Sequence, residues 1–356
     1  SRVRYFAFAA FLLLVFFGLA PFATRDPNLL VSGETIAAGE GDLIRQILYL
    51  LIFATIVASA VQREGFRAID AVPIGLAALL LWCGLSALWA AEPGIPIRRV
   101  GLEVVVVLSA MLSVSSLGPD RAFRILRHVL ALVLIINWIS IPIIPNAIHL
   151  PGEIDPGIVG DWRGLYFHKN ITGAVCAISA MVFLYYAIRE KSRVDLALLI
   201  GVIGFLIMTR SKSSMGLLPL GVGAGALYYW AWKRPLDRAI VSVGVVLLVV
   251  LAAGAFVLYY DDIARMLADP QEFTGRTAIW QAEWAFIRDH ALLGSGFGSF
   301  ADTGAISPLH DYVGEGWVQV ISHGHNGYLQ LTVTTGVIGF SLAMFAIVLA
   351  PAAAHR

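Results

Sequence analysis

The sequence predicts an all-α integral membrane protein of about ten transmembrane helices, and three observations carry that expectation. Of 356 residues, 58% are hydrophobic and only 14% are charged, against about 25% charged in soluble domains. The mean hydropathy is +0.79. The apolar residues also fall in runs close to the roughly 20 residues that cross about 30 Å of hydrocarbon at 1.5 Å per residue. A soluble globular enzyme and a disordered chain are excluded. A net charge of +1 gives no bulk attraction to nucleic acid.

Ten spans follow in order: Tyr5–Ala23, Leu43–Val61, Ala71–Ala90, Val100–Leu117, His128–Ile148, Ile171–Ile188, Leu196–Met208, Met215–Trp232, Ala239–Leu258 and Gly327–Ala350. Charged or Gly/Pro-rich turns separate them. The first follows Arg2 and Arg4 and ends on small residues, as a signal peptide does. Its apolar stretch exceeds the usual h-region, which favours an uncleaved helix. The chain divides into a helical bundle over 1–258, a long polar loop over 259–326, and a last helix with the C-terminus over 327–356.

Orientation follows from Lys and Arg in the short loops. With a cytoplasmic N-terminus, the inside set includes Arg2, Arg4, Arg63, Arg67, Arg121, Arg124, Arg127, Arg189, Lys191, Arg193, Lys233, Arg234 and Arg238. Most carboxylates fall on the opposite side. Basic residues kept on that outer side run against the rule: Arg98, Arg99, Arg163, Lys169, Arg210, Lys212, Arg265, Arg276 and Arg288. Arg98 and Arg99 are expected at a helix mouth, with Arg99 spaced to pair with Glu103 at i,i+4. The others suggest an anionic ligand, weighed against snorkelling or ion pairing with nearby carboxylates.

The 259–326 loop is too polar to span and too long for a simple connector. Within it, residues 277–290 read as an amphipathic helix with Trp280, Trp284 and Ile287 on one stripe. The cluster Gly294-Ser-Gly-Phe-Gly298 does not fit GxGxxG and has no βαβ context, so it is not read as a nucleotide site. Cys83 and Cys176 lie in apolar stretches without a CxxC partner, which excludes a disulfide framework or a Cys-based zinc site. Of the histidines, His149, His168, His290, His310, His323 and His325 fall on the outer side. His323-Gly-His325 could be half of a metal site with His310, Asp311 or Glu315, but no second ligand pair is apparent. A histidine at a helix end is equally suited to accept a proton near neutral pH.

Four motifs in order resemble the O-antigen ligase and polysaccharide polymerase family of bacterial envelope proteins. His325-Asn326, followed after nine residues by Gly336-Val-Ile-Gly339, is similar to that family's H-N-x9-G-x2-G signature. Thr274-Gly-Arg276 precedes the Trp280 helix and the run His290 to Gly298, with Ala291 where relatives usually carry Pro. Asp161-Trp-Arg-Gly-Leu-Tyr-Phe-His-Lys-Asn170 resembles the WRG…HKN stretch of exopolysaccharide polymerases, and Thr209-Arg-Ser-Lys-Ser-Ser214 the short polar motif before the next helix.

The resemblance covers roughly Asp161 to Phe340. It implies a GT-C-like polytopic glycosyltransferase of a bacterial inner membrane, with its active site facing the periplasm. The donor would be a glycan on polyprenyl (undecaprenyl) diphosphate. The acceptor would be a sugar hydroxyl, on another lipid-linked repeat unit or on lipid A-core. Polyprenyl diphosphate would be released, with no metal or other cofactor required.

The chemistry makes two demands. Negative charge developing on the leaving diphosphate needs stabilisation, and guanidinium groups bind phosphate oxygens in a planar fork. Arg276 and Arg163 are the first choices, with Arg210, Lys169 and Lys212 as further binding groups beside Asn326 and His323. The acceptor hydroxyl also needs a base, worth roughly 10²–10⁴ in rate. His325 is the expected base, with Asp161 as the alternative. A lipid-linked glycan transporter without chemistry is the competing reading. Against it, the charges gather at one face rather than the midplane, and no matching pair of broken helices appears. The WRG…HKN stretch inclines the reading toward polymerase over ligase.

Overall fold

The computed structural model describes residues 2–23, 43–152, 156–231, 276–301, 303, 306–314, 324 and 326–350, with isolated positions between 240 and 265. Among these the regular structure is helical, apart from one antiparallel bridge joining Ile148 and Trp162. The helices are α1 (Arg2–Phe16), α2 (Leu43–Glu64), α3 (Ile74–Leu85), α4 (Gly94–Leu117), α5 (Pro119–Ile143), α6 (Lys169–Arg189), α7 (Arg193–Thr209), α8 (Lys212–Ala231), α9 (Arg276–Asp289) and α10 (Gly327–Met344). Among the described residues, five segments are long and apolar enough to cross a membrane: α2, α4, α5, α6 and Gly327–Leu349. The chain is an all-α polytopic membrane protein. The expected Ala239–Leu258 span lies mainly outside the described residues.

Several boundaries move for identifiable reasons. α5 begins at Pro119 rather than near His128, because Pro at the first turn and Asp120 beside the helix dipole favour an earlier start. α4 begins at Gly94 and takes Arg98 and Arg99 into its first two turns. α3 stops at Leu85 and passes into a 3₁₀ turn over Ser86–Leu88. The loop helix α9 is one residue displaced from the expected 277–290.

The chain forms two compact units. The first comprises residues 1–8, 28–119 and 261–356; the second comprises 9–27 and 120–260. In the first unit, Arg4 and Arg63 both donate to the carbonyl of Ser116, near the C-terminus of α4. Cations there satisfy end carbonyls and oppose the negative end of the helix dipole. The start of α1 and the ends of α2 and α4 therefore share one end of the unit, as alternating spans require.

The second unit has a core of Leu130, Leu134, Phe183, Val202, Phe205 and Leu206. At its predicted inner end, Arg127 donates to Asp195 at 2.6 Å, lies 3.5 Å from Glu190, and sits 4.6 Å from the centre of the Tyr186 ring. At the opposite end, Trp138, Trp162 and Phe205 pack edge-on with centroids 5.2–5.6 Å apart. This aromatic cluster is the floor under the connection from α5 to α6.

Candidate functional site

In the second unit, the 144–169 connection folds back on itself. His149 N–H donates to Asp161 O at 3.0 Å and Gly160 N–H to His149 O at 2.9 Å, while Arg163 and Gly164 both donate to Ala147 O at 2.9 Å. Gly164, at φ +55°, leaves no room for a side chain against the Asn137 amide, whose oxygen accepts from Leu165 N–H at 2.9 Å. The whole WRG stretch is thus pinned to α5.

This fold buries Asp161 and directs its carboxylate onto two cations. Lys169 Nζ donates to Oδ2 at 2.5 Å, and Arg210 Nη1 to Oδ1 at 3.3 Å. Lys169 is largely buried, whereas the Arg210 side chain is 73% exposed. Arg210 caps α7 in a left-handed conformation, φ 48°, which swings it out where α7 gives way to α8. Lys212, exposed in the first turn of α8, stands two residues on. The α6 start is fixed by His168 Nδ1 accepting from Asn170 N–H at 3.1 Å and by His149 Nε2 accepting from Lys169 N–H at 3.1 Å. Ser211 Oγ donates to Asn170 Oδ1 at 3.2 Å.

Arg163, expected at the diphosphate, is instead 2% exposed. Its Nε donates to Asn146 O at 2.6 Å and its Nη1 to Phe167 O at 3.2 Å. Its own carbonyl accepts from Thr172 Oγ1. The side chain ties together both ends of the connection. Asp161, the alternative base, is occupied by its two cations.

In the first unit, the loop helix buries Thr277, Ile279, Ala282, Glu283, Phe286 and Ile287. The expected Trp280–Trp284–Ile287 stripe is therefore corrected. Trp284 is exposed, while Trp280 lies partly buried with its Nε1–H donating to Gly324 O at 2.9 Å. The reason is Phe286, which stacks on His290 at 4.5 Å and packs on Phe300 at 4.9 Å, and so sets the inward face. Arg276 is the first residue of the helix and is half-buried.

Glu283 was not singled out in the sequence. It is buried beside Gly324, burial pushes its carboxyl up to about 8, and neither oxygen has a hydrogen-bond partner among the described residues. Its only sequence signal is a carboxylate on the apolar side of an amphipathic helix.

The signature around α10 becomes structural in part. Asn326 caps the helix, its Oδ1 accepting from Tyr328 N–H at 3.1 Å and Leu329 N–H at 3.3 Å. At Gly336 the helix leaves helical geometry, with φ 70° and ψ 179°. The Val337 N–H donates to Ala291 O at 2.8 Å, and Val333 O accepts from Ser295 N–H at 2.9 Å. One rung of the helix is opened and both of its groups are satisfied by the loop. Trp82 Nε1–H takes the carbonyl of Thr335 at 2.9 Å. A Cβ at Gly336 would strike Leu292 O, and one at Gly339 would strike Thr335 and Trp82. His323, His325 and Glu315 lie outside the described residues. Among those described, no group of three or more His, Cys, Asp or Glu could hold a metal ion.

The helices and these cations define a polytopic membrane protein with polar groups at helix ends. Residues 196–344 match the family model described as O-Antigen ligase, and the match supports an O-antigen ligase family assignment for this chain. The match also supports a membrane glycosyl-transfer role in polysaccharide or O-antigen assembly. No curated protein matches the chain.

Proposed function

We propose that the protein transfers a glycan from a polyprenyl diphosphate-linked donor to an acceptor sugar hydroxyl at the periplasmic face of a bacterial inner membrane, releasing polyprenyl diphosphate. The supporting observation is the Lys169–Asp161–Arg210 arrangement, in which a buried carboxylate holds one buried and one exposed cation. One carboxylate against two cations leaves a positive excess, and the exposed guanidinium can turn to phosphate oxygens.

In this reading each unit contributes its own roles. In the second unit, Arg210 and Lys212 bind diphosphate oxygens, Lys169 and Asp161 hold Arg210 in place, and Arg163 braces the connection. In the first, Arg276 binds phosphate and His325 takes the proton of the acceptor hydroxyl as it attacks the anomeric carbon. The C–O bond to the diphosphate breaks with the electron pair leaving on the phosphate oxygen. Asn326 fixes the start of α10 beside His325, and His323 contributes to substrate binding. No metal is assigned a part.

The test is a cell-free assay with defined lipid-linked donor, run with and without lipid A-core. A product ladder without the core acceptor indicates polymerase; a single transfer requiring it indicates ligase. Product made in detergent, where no transport can occur, excludes the transporter. His325→Ala and Arg276→Ala should each abolish transfer while the protein still inserts; near-normal transfer by both would overturn these assignments.

A further inference from the structure

The end of the second unit that carries Arg127 is strongly basic. Arg121 and Arg124 lie in the first two turns of α5, Arg189 ends α6, Lys191 stands in the turn that follows, and Arg193 opens α7. All five are exposed. The described carboxylates at these helix ends are Asp120, Glu190 and Asp195, and Arg127 already pairs with the last two.

Helix stability does not account for this charge. A helix dipole is positive at its N-terminus and disfavours cations there, yet Arg121 and Arg124 sit at the start of α5 and Arg193 is the first residue of α7. Lys191 adopts left-handed backbone, φ 52°, a conformation that favours glycine after a helix end. A glycine would make that turn with less strain, so the lysine contributes charge rather than shape.

Two of the cations flank one aromatic surface. Phe123 of α5 packs on Tyr185 and Tyr186 of α6, with ring centroids 5.6 and 6.2 Å apart. Arg189 lies over the Tyr185 ring at 5.5 Å and donates to its hydroxyl at 2.6 Å. Arg124 acts electrostatically on Tyr186 and has no hydrogen bond or ion pair among the described residues. Phe123, Tyr185 and Ile188 expose apolar surface beside these charges, at the ends of two helices long enough to cross a bilayer. An apolar wall next to two guanidinium groups at a membrane boundary fits a molecule with an anionic head and a hydrocarbon body.

We propose that this surface binds an anionic phospholipid of the adjoining leaflet, with its phosphate between Arg124 and Arg189 and its acyl chains against Phe123, Tyr185 and Ile188. Arg121, Lys191 and Arg193 surround the headgroup with positive potential. The proposal is independent of the glycan-transfer reading, since none of these residues is assigned to that reaction.

The purified full chain is titrated by native mass spectrometry with phosphatidylglycerol and, separately, phosphatidylcholine. Phosphatidylglycerol should bind tighter. Its affinity should fall about fivefold for each arginine removed in Arg124→Gln and Arg124→Gln/Arg189→Gln, as expected for basic residues at an anionic membrane surface. The single variant breaks no hydrogen bond and serves if the double variant does not fold. Arg2→Gln/Arg288→Gln, which removes two exposed cations from the first unit, should bind like the parent. Equal binding of the two lipids, undiminished phosphatidylglycerol binding in a folded Arg124 variant, or an equal loss in the first-unit variant would each overturn the proposal.

Discussion

The carboxyl group of Glu283 is packed so closely against Gly324 that no side chain could stand on that residue. Gly324 lies between His323 and His325 in the sequence, and is held from two further sides. Trp280 donates to its carbonyl and Gln330 Oε1 accepts from its N–H at 2.8 Å. The loop helix thus grips the histidine segment at its one described residue.

The buried acid predicts a pH dependence of stability. Its folded pKa is about 8, raised from 4.5 by desolvation. In the folded state it keeps its proton between these values, whereas the unfolded chain loses it. The unfolded state then binds fewer protons, so the stability contributed by the neutral Glu283 is fully present below about 4.5 and is lost as pH rises toward 8. Glu283→Gln should flatten that slope and raise the melting temperature at pH 8 relative to the parent protein. Thermal unfolding in detergent across pH 5–9 measures it; parallel profiles would contradict the burial.

Asn326 is expected to act as a helix cap. Asn326→Ala should cost about 0.5–2 kcal/mol, and Asn326→Asp or Asn326→Ser should restore most of it, because either side chain can accept from the same N–H groups. Melting curves of the three variants decide this. Loss of glycan transfer in the alanine variant without loss of stability would favour a direct role at substrate instead.

The ion-pair trio should separate into a stabilising and a functional half. Asp161→Ala leaves Lys169 largely buried without its partner and should destabilise by about 3–5 kcal/mol. Arg210→Ala removes a mostly exposed side chain and should cost less than about 1 kcal/mol, yet sharply reduce transfer. Unfolding and the cell-free assay on the same preparations compare the two.

Gly336→Ala should be severe, since it places a Cβ on backbone of positive φ with ψ near 180°, a region essentially reserved to glycine, at about 1–3 kcal/mol, and also against the Leu292 carbonyl. Gly216→Ala in α8 has nothing within 4 Å and should be neutral or stabilising by up to about 1 kcal/mol. A thermal shift comparison of these two alanines tests whether the signature glycine is structural.

The helical bundle was legible because apolar runs of span length have few alternatives in lipid. The loop helix was legible too, but its inward face was not. Tryptophan spacing gave a regular stripe, while the actual face was set by Phe286 meeting Phe300 and Leu309, which are distant in sequence. The WRG stretch was visible as a motif, yet nothing local told that Arg163 would turn inward to two backbone carbonyls while Arg210 turned out. Arg98 and Arg99 were placed at a helix mouth. His325 was legible only as a motif residue.

The opened rung in α10 means that the last membrane helix is not a self-sufficient element. Its Val333 carbonyl and Val337 N–H find partners only when the 291–295 segment docks. An unpaired peptide group in a nonpolar setting is costly, so this helix reaches its final form only after the outer loop has folded onto it. The glycines shared by the two motifs act as an assembly checkpoint, coupling the completion of a membrane span to the maturation of the loop that precedes it.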